Sequence, residues 1–159
     1  MLAEEIRTYV IRPALKIVNL WCPAAELLVY GTGLLETGFT HLYKPNHDGG
    51  GFGFYQMAPS VYAENLKFIK AREQRTLAAS ISGACYYDVI PADHFVLLSN
   101  IRFATLLCRI HYLRARADLP EYFNAESMAD FYSEHYNNSD GILNRQNNVE
   151  LFEGIIDAF

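Results

Sequence analysis

PAAELLVYGTGLLETG (residues 23–38), followed by KPNHDGGGFG (44–53) and FYQM (54–57), is the stretch that decides how this chain folds. Pro23 suits a first helical turn, where no N–H is needed, and the Ala, Glu and Leu that follow are strong helix formers. Gly31 and Gly33 are tolerated inside this helix at some cost, and Gly38 is a natural stop. Glu36 therefore falls in the last turn of a largely apolar helix. Lys44 to Gly53 contains almost no helix former, so a loop or short hairpin is expected there.

Working outward, Leu2, Ile6, Val10, Ala14 and Ile17 recur at helical spacing, with a break near Arg12 because Pro13 belongs in a first turn. Ser60 is a candidate cap for a helix through SVYAENLKFIKAREQRTLAA (60–79). Residues 92–115 carry the best apolar period and begin beside Asp93, so a central buried helix is expected. Asn124 can cap AESMADFYSEHY, and Asn147 or Asn148 can cap VELFEGIIDAF. Six or seven helices, little strand, no repeat and no linker indicate a mainly α chain forming a single domain over residues 1–159.

The 159 residues, 51% of them hydrophobic, suffice for one core and not for two ordinary domains. A formal charge of −5 without a basic cluster argues against nucleic acid as a partner. The longest uncharged run, Gly49 to Ala63, contains glycines and a proline and is shorter than the roughly 20 apolar residues of a membrane span. Glu4 and Glu5 stand where a signal peptide needs positive charge, so synthesis in a cytoplasm without an export address is expected. Cys22, Cys85 and Cys108 are odd in number and far apart, which predicts free, apolar thiols. The five histidines match no common zinc spacing, and the glycine run lacks the Lys-Ser/Thr of a phosphate loop. Arg109, His111 and Arg114 read as a polar cluster that binds carbonyls of neighbouring elements.

The chemistry centres on Glu36. A carboxyl at the end of an apolar helix, beside Phe39 and near Phe54 and Tyr55, loses solvation and holds its proton to higher pH, as a general acid must. A two-carboxylate glycosidase needs a second acid across the bond, and Asp48 is the nearest candidate in sequence, although its setting suits a turn residue.

In order and spacing, the chain resembles the lysozyme-like superfamily, in particular the soluble lytic transglycosylases. Glu36-Thr37 is similar to their catalytic Glu-Ser, Gly53-Phe54-Tyr55-Gln56 to their Gly-Leu-Met-Gln, and His135-Tyr136-Asn137 to their Ala-Tyr-Asn. Val10-Ile11-Arg12-Pro13, Glu36-Thr37-Gly38, Tyr55-Gln56-Met57, Asn100, Ala104 and the Arg109 to Arg114 segment further resemble small lysozyme-like proteins of bacteriophages and prophages. The resemblance implies a lysozyme-like helical fold with the Gly-rich loop or hairpin after the catalytic helix. It implies Glu36 as sole acid/base and Tyr136 as the residue that bonds and orients it. Substrate binding would fall to Thr37, Gly53, Phe54, Tyr55, Gln56 and Asn137, with no cofactor and no metal. The implied partners are peptidoglycan glycan strands and other phage virion or tail proteins, with action in the periplasm or cell wall. The alternative is a non-enzymatic virion or assembly protein that keeps the fold.

Overall fold

A computed structural model describes residues 2–137 and 141–159. The chain opens with α1 (Ala3–Ile6), a π-helical stretch (Arg7–Ile11) and α2 (Arg12–Ile17), which follow one another without a gap. Pro13 lies in the first turn of α2, so the widened π stretch before it absorbs the hydrogen bond that proline cannot donate. This is the break expected near Arg12. Next, α3 (Pro23–Glu36) starts with the Cys22 sulfur accepting from the Ala25 N–H at 3.4 Å. It ends where Gly38 takes φ +59°, the left-handed conformation that stops a helix. Gly31 and Gly33 are there for space rather than by tolerance: a Cβ at either would run into the ring of Phe152 or of Phe39.

The glycine-rich segment is a hairpin. β1 (Tyr43–Lys44) pairs antiparallel with β2 (Gly51–Phe52), Tyr43 opposite Phe52 and Lys44 opposite Gly51. Asn46 Oδ1 closes the loop between them by accepting from the N–H groups of Asp48 and Gly50, both at 2.9 Å. Then come α4 (Pro59–Lys70), a 3₁₀ turn (Arg72–Gln74), α5 (Arg75–Cys85), α6 (Val96–Ser99), α7 (Ile101–Arg114), α8 (Ala125–His135) and α9 (Ile142–Asp157).

Several boundaries differ from the sequence reading. Pro59 opens α4 from Ala58, so Ser60 is not the cap. The helix expected through residue 79 breaks at Ala71, which is extended at ψ 146°. The long segment over 92–115 breaks at Asn100, whose backbone is extended and whose side chain accepts from the Phe103 N–H at 2.9 Å to start α7. Asp93 instead closes a turn before α6 by accepting from the Phe95 N–H. Asn124 caps α8 as expected. Neither Asn147 nor Asn148 caps anything: α9 starts at Ile142, and Asn148 is buried within it.

Two helices form the centre. Every residue of α3 from Ala25 to Gly33 is buried, as is every residue of α7 from Phe103 to Ile110. α2, α4 and α5 pack on α7, while α8 and α9 pack on α3 and on each other. The described residues are thus mainly helical with one small hairpin. None of their helices is long and apolar enough to cross a membrane. All three cysteines are free thiols.

Candidate active site

Glu36, the last residue of α3, is half-buried and lines a cavity of about 380 Å³. The Tyr132 hydroxyl donates to its Oε1 at 2.7 Å, and the Asn137 amide nitrogen donates to the same oxygen at 3.0 Å. Oε2 takes no hydrogen bond from the described residues. Two donors on Oε1 make it the oxygen without hydrogen, which leaves Oε2 to carry the proton. Burial raises the pKa of Glu36 above the ordinary glutamate value, and the bonds from Tyr132 and Asn137 and the charge of Lys44 pull it part of the way back.

The expected bond from Tyr136 to Glu36 is not formed, a correction with a geometric cause. Tyr132 and Tyr136 lie one helical turn apart, with rings stacked at 6.1 Å, and only the earlier reaches the carboxyl. Tyr136 donates instead to the Tyr55 carbonyl at 2.6 Å. Sequence reasoning missed Tyr132, although its four-residue spacing from Tyr136 placed both on one face of a helix.

The 53–57 turn is held from several sides. Phe52 and Met57 exchange both backbone hydrogen bonds across it, at 3.0 and 3.1 Å. Gly53 takes φ +75° with the Leu97 carbonyl so close that no Cβ would fit. Gln56 also has positive φ, and its side-chain amide donates to the Gly53 carbonyl at 3.0 Å. The buried Thr37 hydroxyl donates to the Phe54 carbonyl at 2.8 Å and accepts from the Phe39 N–H, stapling the end of α3 to the turn.

Of the residues expected at the site, Glu36, Gln56, Tyr136 and Asn137 line the cavity. Thr37, Phe54 and Tyr55 are buried in the wall behind it, and Gly53 shapes the turn without lining the cavity. Tyr55 spends its hydroxyl on Thr105 of α7 at 2.9 Å.

Lys44, Asn46 and Asp48 of the hairpin, Met57, Ala58 and Val61 at the start of α4, and His111 of α7 complete the lining. His111 Nε2 donates to the His135 carbonyl at 2.8 Å, which ties α7 to the end of α8. Burial, and after it the charge of Arg114, lower the pKa of His111 to about 4, so the ring is neutral at physiological pH. Of the expected carbonyl-binding cluster only His111 makes such a bond. Arg109 Nε and Arg114 Nη1 are buried without a hydrogen-bond partner among the described residues. Among these residues no group of three or more His, Cys, Asp or Glu could hold a metal ion.

No family model, no curated protein and no solved structure matches the chain.

Proposed function

We propose that this chain cleaves peptidoglycan glycan strands as a phage-type lytic transglycosylase, at the bond from N-acetylmuramic acid to N-acetylglucosamine. The observation that carries the reading is Glu36: a half-buried carboxyl with raised proton affinity, oriented by two donors on one oxygen and lining a polar cavity. In the proposed reaction the Oε2 proton passes to the leaving glycosidic oxygen. The carboxylate then removes the proton from the 6-hydroxyl of the same muramic acid, whose oxygen closes on C1 to give a 1,6-anhydro end. Gln56 and Asn137 offer amides to the sugar, and Tyr136 closes the wall. In this reading Glu36 acts twice and no second carboxylate is required. The virion or tail as the site of action belongs to the same proposal.

The second reading is a two-carboxylate hydrolase, and one observation favours it: Asp48 lines the same cavity as Glu36 from the hairpin. The products separate the two. Mass spectrometry of digested sacculi is expected to find anhydro ends, lighter by one water than reducing ends, and Glu36→Gln should lower cleavage by about 10²-fold or more. Reducing ends together with inactive Asp48→Asn would select the hydrolase. An inert wild type that folds and binds a virion component would leave the non-enzymatic alternative.

A further inference from the structure

Charge is unevenly distributed along this chain. Residues 1–117 hold twelve of the thirteen Lys and Arg and nine carboxylates, net +3, whereas residues 118–159 hold nine carboxylates and Arg145 alone, net −8. The acid excess lies on α8, α9 and the segment leading into them. The densest group of cations lies where α4 passes into α5: Lys67, Lys70, Arg72 and Arg75, all exposed. Glu64 and Glu73 stand among them, yet none of the six forms an ion pair with a described residue.

Folding accounts for only half of this group. Lys67 and Lys70 lie in the last turn of α4, where the helix dipole favours cations. Arg75 opens α5, which continues without a gap from the 3₁₀ turn that holds Arg72 and Glu73, and no side chain caps the start of either. A cation there meets the positive end of the dipole. The corner thus collects positive charge where the helix itself repels it, beside an N-terminus that no side chain caps, and the complement to both is an anion.

We infer that this corner holds the protein on its polymer by binding carboxylates of the stem peptides that a peptidoglycan glycan carries. The inference rests on the function proposed above and adds a second contact to it. Continuity with the cavity selects this occupant. Val61 lines the cavity, and the exposed Ser60, Ala63, Glu64, Lys67 and Lys70 form one face of α4 from there to the corner. The distance from Val61 to Lys70 is about 14 Å along the helix. A strand seated at Glu36 therefore brings its peptides past α4, while the acidic half of the molecule repels them and sets the direction of approach.

The test compares wild type with K67Q/K70Q/R72Q/R75Q in cosedimentation with purified sacculi between about 50 and 200 mM salt. The expected result is that the variant binds about tenfold more weakly at low salt and loses most of the salt dependence. Its cleavage of soluble, peptide-free glycan should match wild type, and E64Q/E73Q should bind more tightly. Should the quadruple variant fold poorly, Arg75→Gln alone serves, because removing that cation relieves α5 and should still weaken binding. Equal binding and equal salt dependence in a cleaving wild type would overturn this inference and leave the function standing. Preference of the wild type for duplex DNA or anionic vesicles over sacculi would overturn the choice of polymer. A wild type that neither binds sacculi nor cuts glycan would remove the proposed function, and this inference with it.

Discussion

Tyr132 and Tyr136 donate their hydroxyls to different acceptors, so deleting each oxygen has a different consequence. Tyr132→Phe removes a donor that favours the charged form of Glu36. The carboxyl should then hold its proton to still higher pH and lose its orientation. Cleavage is expected to fall by about one to two orders of magnitude, and the limb of the pH profile that reports Glu36 should move up. Tyr136→Phe leaves the buried Tyr55 carbonyl without its donor, which costs about 1–3 kcal/mol of stability and loosens the 53–57 turn. Thermal denaturation beside a pH–rate profile separates the two. If the Tyr136 variant shifts the Glu36 limb and the Tyr132 variant does not, the assignments are reversed.

At the scale of elements, the N-terminal rod is locked to α3 by one buried carboxylate. Glu26 is fully buried and takes Arg12 through both oxygens at 2.8 Å, the Trp21 N–H at 2.6 Å and Arg7 at 3.2 Å. Burial alone would raise its pKa, but Arg12, Trp21 and Arg7 together hold it below the usual glutamate value. Glu26→Gln would leave two arginines facing a neutral side chain, at a cost of about 3 kcal/mol by chemical denaturation, since Arg12 keeps one flank in water. A loss under about 1 kcal/mol would mean that the pair only breaks even against its desolvation. The Val-Ile-Arg-Pro motif was legible as a helix break, but nothing in the local spacing of Arg12 pointed to Glu26, because the contact spans fourteen residues and depends on packing. The same limit explains the rest. Helix α3, the hairpin and the caps at Gly38 and Asn124 follow from local chemistry and were readable. The breaks at Ala71 and Asn100 interrupt apolar periods that continue through them, so periodicity passed over both. Glu36 and its loss of solvation were readable from an apolar helix end. Its true partner was not, since two tyrosines on one face can be told apart only once α8 is seated on α3.

Across the whole molecule, three titratable groups in different settings shape how stability responds to pH. His111 has its folded pKa lowered to about 4 from 6.5, so the unfolded chain binds the proton more readily, and stability present above 6.5 is lost as pH falls toward 4. Glu26, also lowered, adds a loss below the ordinary glutamate pKa, on the same acid side. Glu36 works in the opposite sense. Its raised pKa means that the folded state keeps the proton longer, so its contribution is full below the unfolded value and is lost as pH rises through the folded one. His111 lies against Tyr136 and Tyr112 of the packed aromatic wall, with His135 and Arg114 as its charged or titratable neighbours, and Arg114 reinforces the lowered pKa. A stability curve measured from pH 4 to 8 should therefore fall on the acid side by about 3 kcal/mol through His111 alone. His111→Gln keeps a donor for the His135 carbonyl without a titrating ring, and should flatten the part of that fall between pH 6.5 and 4. Glu36→Gln should remove the opposing decline that sets in as the glutamate ionises, and so deepen the net fall on the acid side. An acid limb of equal depth in wild type and His111→Gln would show that the ring titrates freely and that the tie between α7 and α8 does not depend on its staying neutral.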